Sequence, residues 1–250
     1  FLKWKILIEE AQKQIKQTLQ NFKEIPSLSI AVIKDNQPFF TKTYGYADVE
    51  RSYKASNETA YYIASTTKSY VGLLAAQLET EGLLDLSRPI TEYAPIKHFK
   101  DKDLFKVITI TDLLSHTSGL ENPMLSMQFA SIGDYTRAGL VKILEEETIP
   151  LFNNKSYRYT NFGYNVFDLI LYEEFGKNWK DLLQEKIFTP MKMQRTSAYL
   201  STAEKQKWSI AQPYTAINDA QLPTLARTRK NDATFQAAGG LVSSIEDAQK

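Results

Sequence analysis

The sequence predicts an α+β fold, an antiparallel sheet flanked by helices together with a mostly helical domain, and three observations predict it. A segment with helical spacing is followed at once by a hairpin signal, the middle of the chain switches to helical periodicity, and strands and helices nowhere alternate as βαβ units. At 250 residues the chain can bury a substantial core, in one large domain or two interleaved lobes.

The opening segment to Phe22 places Ile6, Leu7, Ile15, Leu19 and Phe22 close to one helical face among Lys, Gln and Glu, and Pro26 ends it. Ser27 to Ile33 is rich in β-branched residues. It is followed by the polar turn Lys34-Asp35-Asn36-Gln37-Pro38 and an aromatic strand from Phe39 to Tyr46, which together read as a hairpin. From about Thr66, Val71, Leu74, Ala75 and Leu78 share a helical face, and Gly82 stands where that helix would stop. Further helices are expected over 134–147, 162–175 and 179–188, the last closed by Pro190. Residues 209–232 are polar, proline-bearing and poorly periodic, which predicts surface loop. Ser243, three residues before Glu246, matches a capping box opening a last helix.

This order predicts that residues 1–55 form the first part of an α/β domain, 56–236 a mostly helical domain, and 237–250 a return to the α/β domain. An isolated hairpin is only marginally stable, so more strands must lie in the later loops or come from further chain.

Composition excludes several functions. Thirty Lys+Arg against 29 Asp+Glu, a net charge of +1, gives no global attraction to nucleic acid or anionic membrane. There are no cysteines, so disulfides, thiolate metal sites and cysteine nucleophiles are ruled out. His98 and His116 are the only histidines, which argues against a zinc hydrolase; no metal and no cofactor are expected, although carboxylate-bound ions stay open. No run approaches the roughly 18 apolar residues that a transmembrane segment needs. The chain starts at Phe1 rather than Met, which suggests that an upstream segment was processed, trimmed or left out.

Ser65-Thr66-Thr67-Lys68 carries a hydroxyl and an amine on one face at the predicted start of the helix running to Gly82. A serine hydroxyl becomes nucleophilic when a neighbouring base takes its proton, and a partly buried lysine of lowered pKa can do so. The helix start adds N–H groups that favour the negative charge of acyl transfer. The same residues also suit an N-cap serine beside a solvated lysine. Tyr159-Thr160-Asn161 follows the polar turn Asn153-Asn154-Lys155 and precedes the helix at Phe162. Near a cation, a phenol loses its proton more easily and can share base duty for Ser65; the Asn161 amide can hold a substrate carbonyl and contact Lys68. A packed tyrosine followed by an N-cap asparagine is the structural alternative. His116, within Ser115-His116-Thr117-Ser118-Gly119, reads as a helix end whose imidazole bonds backbone carbonyls rather than as a catalytic base, and Glu145-Glu146-Glu147 reads as a solvated helix end.

Together these motifs resemble the penicillin-recognising serine hydrolases, whose Ser-x-x-Lys signature they carry, in particular the branch of class C β-lactamases, D-Ala-D-Ala carboxypeptidases and related esterases. The resemblance extends through Ser29-Ile30-Ala31-Val32, Tyr44-Gly45-Tyr46-Ala47-Asp48, Gly82-Leu83-Leu84-Asp85-Leu86, the block from Ile110 to Leu120, Pro190-Met191-Lys192-Met193 and Ala238-Gly239-Gly240-Leu241. It implies a β-lactamase/transpeptidase-like fold in which Ser65 forms an acyl-enzyme, Lys68 activates it, Tyr159 moves protons, and Asn161, Gly239 and Gly240 bind substrate, with the Ser65 N–H as half of an oxyanion hole. The implied substrate is a β-lactam, a D-amino-acid peptide or a small ester, and a periplasmic or secreted location is favoured by the resemblance alone.

The third motif of that family, Lys-Thr-Gly or His-x-Gly on a sheet-edge strand, is absent from residues 1–250: Lys42-Thr43-Tyr44-Gly45 is in the wrong place and His116-Thr117-Ser118-Gly119 belongs to the middle block. The expectation is therefore a chain lacking the C-terminal strands, with a further C-terminal segment or a second chain completing the sheet. Two other readings compete with the hydrolase: a catalytically silent ligand-binding or regulatory member of the fold, and a structural helical module with coincidental motifs. The hydrolase requires Ser65 Oγ to lie within roughly 2.6–3.2 Å of Lys68 Nζ or Tyr159 Oη.

Overall fold

A computed structural model describes residues 2–93, 100, 105–120, 122–131, 137–146, 155–215, 224–226, 230–234 and 236–250. It is α+β, with antiparallel strands and many helices. The chain divides into two compact units, one of residues 1–61, 203–229 and 243–250, the other of 62–202 and 230–242.

In the first unit, α1 (Leu2–Asn21) precedes the antiparallel pair β1 (Ser27–Lys34) and β2 (Gln37–Asp48), with β3 (Tyr53–Lys54) on the far side of β2. The hairpin reverses through Asp35 and Asn36, both at positive φ (52° and 58°), as a two-residue turn matching strand twist requires. Gly45 pairs with Ser27 at the other end of the ladder. Its φ is +82°, and a Cβ there would stand 2.1 Å from Pro26 O. Gly45→Ala therefore combines left-handed strain with a backbone clash and is expected to destabilise the protein by about 2–4 kcal/mol, read as a lowered urea midpoint at unchanged m-value.

Short strands account for part of the segment expected to be loop. After β4 (Ala60–Tyr62) and β5 (Thr196–Ser197), β6 (Tyr214–Thr215) pairs with β7 (Thr224–Leu225), and Ile210 bridges to Ala60. Residues 216–223 and 227–229 of that segment lie outside the described residues. Tyr214 Oη accepts from Val49 N at 2.7 Å and donates to Glu50, tying this excursion to the hairpin unit. At the end of the chain the cap is one residue later than predicted. The Ser244 side chain, at the end of β8 (Val242–Ser244), accepts from Asp247 N, and the helix runs over Ile245–Ala248.

The second unit is built on α2 (Thr67–Thr80) and α6 (Phe162–Phe175), with α3 (Ile110–Leu114), α4 (Pro123–Ser131), α5 (Arg137–Glu146) and α7 (Trp179–Leu183) around them. Val71, Leu74, Ala75 and Leu78, the predicted face of α2, are buried, and α6 is buried from Phe162 through Leu171. At roughly 1.5–3 kcal/mol for each fully buried large apolar side chain, this core is the main stabilising mass of the unit. Helix α3 and the start of α6 meet at Gly163, where a Cβ would lie 2.7 Å from Leu113 O. This close approach fixes the start of α6 next to the turn that follows α3. The helix expected over 179–188 is α-helical only to Leu183 and π-helical over Gln184–Phe188. Of the helix expected over 134–147, Arg137–Glu146 is described; Asp134 and Glu147 lie outside the described residues, as do His98, Asn153 and Asn154. Among the described residues no helix is long and apolar enough to cross a membrane.

Candidate active site

Ser65 sits in a single 3-10 turn, Ala64–Thr66, directly ahead of α2. The turn is held at both sides: Ile63 N donates to Leu241 O at 3.0 Å, and Leu241 N donates to Thr67 Oγ1 at 3.1 Å. Ala64 takes a φ of +46°, a conformation that costs a non-glycine residue about 1–2 kcal/mol. Such strain persists only where the surroundings over-determine it. Here it leaves the Ser65 side chain exposed at the mouth of the helix.

Lys68, the second residue of α2 and one turn on from Ser65, is only 8% exposed. Its Nζ donates to Ser65 Oγ at 3.2 Å, to Asn161 Oδ1 at 2.9 Å and to Ala238 O at 2.6 Å, so all three ammonium protons have acceptors. Asn161 occupies the N-cap position of α6 but makes no capping bond; its amide oxygen goes to Lys68 instead. Tyr159, 47% exposed, donates from Oη to Ser65 Oγ at 2.6 Å, and its ring lies under the ammonium, 4.8 Å from Nζ. Lys68 thus reaches both Ser65 and Asn161, and Tyr159 reaches Ser65. The N-cap-and-solvated-lysine alternative does not describe this geometry.

Burial lowers the Lys68 ammonium below the ordinary lysine range, against the opposing pull of the nearby Tyr159 oxygen. For Tyr159 burial alone would raise the phenol, but the contacts with Lys68 and Ser65 and the ammonium's charge outweigh it, and the net shift is downward. The two shifts move both groups toward the range where either can exchange a proton with Ser65.

The N–H groups of Gly239 and Gly240 are bonded back to Gln236 O, at 3.0 and 2.7 Å. Gly239 lies against the nucleophile turn: a Cβ there would be 3.6 Å from Ala64 C and 3.7 Å from Tyr62 Oη. In the same segment the carbonyl of Ala238 anchors Lys68, a contact that no side-chain pattern announces. His116, expected to bond carbonyls, instead accepts Thr160 N–H on Nδ1 at 3.2 Å. Among the described residues no group of three His, Asp or Glu side chains could hold a metal ion.

Known proteins share this arrangement of elements. Residues 15–250 match the Beta-lactamase family. Protein flp of Staphylococcus aureus is 30% identical over 211 residues, covering 80% of this chain and 41% of that protein. The teichoic acid D-alanine hydrolase of Staphylococcus aureus is 30% identical over 171 residues, 68% of this chain and 41% of that one. The chain therefore spans about two fifths of the length of these curated relatives. Among solved structures, the octameric penicillin-binding protein homologue from Pyrococcus abyssi superposes with a TM-score of 0.77 at 25% identity, over 97% of this chain and 55% of that one. FmtA from Staphylococcus aureus superposes with a TM-score of 0.74 at 26% identity, over 95% of this chain and 63% of that one. Fold, blocks of sequence and family match agree: the chain belongs to the Beta-lactamase family.

Proposed function

We propose that the chain carries the acyl-transfer site of a serine hydrolase acting on a β-lactam, a D-amino-acid peptide or a small ester. The observation behind this reading is the convergence on Ser65 Oγ of Lys68 Nζ at 3.2 Å and Tyr159 Oη at 2.6 Å. With both partners protonated, Ser65 Oγ only accepts hydrogen bonds and is not activated. Loss of one proton from the Lys68–Tyr159 pair turns that member into an acceptor for the Ser65 proton. The Ser65 oxygen then attacks the carbonyl carbon, and the C=O electron pair collects on oxygen at the N-terminal end of α2. As the C–N or C–O bond breaks, the proton held by the pair passes to the departing amine or alcohol and the acyl group stays on Ser65. Asn161, held by Lys68, is placed to position the substrate amide or ester.

The relative named as a teichoic acid D-alanine hydrolase favours D-alanyl ester or amide substrates within that range. A silent ligand-binding member of the fold is the competing reading. Exposure of the chain to a labelled penicillin or a fluorophosphonate separates the two. Acyl transfer predicts a stable mass increase of one adduct that peptide mapping places on Ser65. Reversible binding with no adduct would leave the silent reading standing.

A further inference from the structure

Tyr159 is carried by residues 155–161, which form neither helix nor strand, so something outside regular secondary structure must hold its phenol on Ser65. That support comes from the turn after α3. Lys155 N donates to Thr117 O at 2.7 Å, Arg158 N donates to His116 O at 2.8 Å, and Thr160 N donates to His116 Nδ1 at 3.2 Å. Lys155 also pairs with Asp112 of α3, below the same turn. His116 itself has a φ of +63° and is 9% exposed. Its ring lies 4.6 Å from the Tyr159 ring at 32°, 5.6 Å from Tyr164 at 39° and 5.9 Å from Tyr157 at 81°. The imidazole is therefore packed between the helical layer and the tyrosine segment, bonded to the residue immediately after Tyr159 and stacked on Tyr159 itself.

We propose that His116 is a positioning residue for the acyl-transfer site, holding the Tyr159 phenol on Ser65 through its ring face and its Nδ1 lone pair, and that only its neutral, Nε2-protonated form does so. This rests on the reading of Ser65 as nucleophile and Tyr159 as its proton partner. The tautomer follows from the geometry: Nδ1 accepts an N–H, so the one proton of the neutral ring is on Nε2. An imidazolium would set a second N–H against that of Thr160, two donors without an acceptor in a buried place. The same bond removes His116 as a base for Ser65, since its only lone pair is already engaged.

The groups facing the ring favour the neutral form. From α2 comes the Lys68 ammonium, which lies 4.8 Å from the Tyr159 ring and 5.4 Å from the Tyr164 ring that flank the imidazole. From α6 comes Tyr164, whose phenol donates to Leu114 O and is pushed up to about 12, so it stays uncharged. From the tyrosine segment come Tyr157 and Tyr159, and Asp112 on the preceding helix is paired with Lys155. Burial first, and the Lys68 charge second, push His116 below the ordinary histidine value.

Three substitutions separate the ring from the lone pair. His116→Asn puts an amide oxygen close to where Nδ1 stands, so it keeps the acceptor for Thr160 N–H without the ring. His116→Gln moves that oxygen one carbon away, and His116→Phe keeps the stacking face with no acceptor. Ångström-scale misplacement of a reacting group costs on the order of 10²-fold. The Phe and Gln variants are therefore expected to acylate Ser65 roughly 10- to 100-fold more slowly in kcat, with KM little changed, and the Asn variant to recover part of that loss. Wild type should lose acylation as pH falls through the His116 titration, and the Asn variant should lack that limb.

A second readout does not depend on turnover. The phenolate absorbance of Tyr159, identified as the signal lost in Tyr159→Phe, should titrate at lower pH in wild type than in His116→Phe. If Ser65 proves not to be acylated, the acyl-transfer reading falls while this titration still decides whether His116 holds Tyr159 beside Lys68. Phe and Gln variants that acylate and titrate like wild type would overturn the proposal.

Discussion

Ser65→Ala is expected to abolish covalent labelling by penicillin or fluorophosphonate and to lower any hydrolytic rate by on the order of 10⁶-fold, as when the nucleophile of a serine hydrolase is deleted. The fold should be nearly untouched. Ser65 is exposed, its Cβ remains, and the alanine loses only an oxygen that accepts from two neighbours. Lys68 keeps Asn161 Oδ1 and Ala238 O, and the Tyr159 hydroxyl, on a half-exposed side chain, can turn to water. A change in unfolding free energy within about 0.5 kcal/mol is therefore expected, as for surface substitutions that open no buried cavity. Circular dichroism and a urea titration check the second half, and intact mass checks the first. An adduct that survives in the alanine variant would place the nucleophile elsewhere, and the geometry around Ser65 would need another explanation.

How much of this was legible in sequence depended on what kind of atom carried the information. Helix α6 could be read to the residue, because it is a long apolar run, buried from Phe162 through Leu171, and Gly176, at φ 64°, supplies the left-handed stop. The Ser-x-x-Lys and Tyr-x-Asn motifs were also readable as side-chain types at fixed spacing, while their approach to one another was implied by the family resemblance and not by the spacing. The end of α7 was not. A switch from α to π hydrogen bonding at Gln184 changes the ladder by one residue without changing the polarity pattern. The final cap was ambiguous for a similar reason: Ser243 with Glu246 and Ser244 with Asp247 both satisfy the pattern. Strand β8, extending through Ser244, decides between them. Strands of two residues, such as β6 and β7, are shorter than any detectable alternation.

Within the site, what remained hidden were backbone atoms and tautomers. Ala238 O is a main-chain group, and its role depends on the path of residues 236–240 rather than on any side chain. The same path bonds the Gly239 and Gly240 amides back to Gln236 O. Asn161 shows both sides of the problem. Its backbone does occupy an N-cap position, as the structural alternative required, yet its side chain serves Lys68. A residue type can suit two roles, and only the position of a third group selects one.

Lys68 itself supports the strongest mechanistic distinction. Lys68→Met should keep the volume but remove every donor, leaving Asn161 Oδ1 and Ala238 O without their shared partner. Orphaned acceptors cost about 1–3 kcal/mol, offset by release of a poorly solvated buried cation, so little net change in stability is expected near neutral pH. Because burial holds the Lys68 pKa below its unfolded value, the unfolded chain binds more protons between those two values. Wild-type stability should therefore rise as pH climbs through that window, and Lys68→Met should lack the rise. Acylation should fall by roughly 10²–10⁴-fold in the methionine variant, the range for loss of a general base. It should also lose the ascending limb that wild type shows as the Lys68–Tyr159 pair gives up a proton. Lys68→Arg then divides the work between the two partners. A guanidinium keeps the charge that lowers Tyr159 but cannot surrender a proton at any working pH. If Tyr159 is the base and Lys68 only its electrostatic support, the arginine variant should recover much of the rate, with a pH profile set by the phenol. If the lysine amine takes the Ser65 proton, arginine should be as slow as methionine, and the measured rates of acylation across pH 6 to 10, on the order of the span between the ordinary histidine and lysine values, distinguish the two.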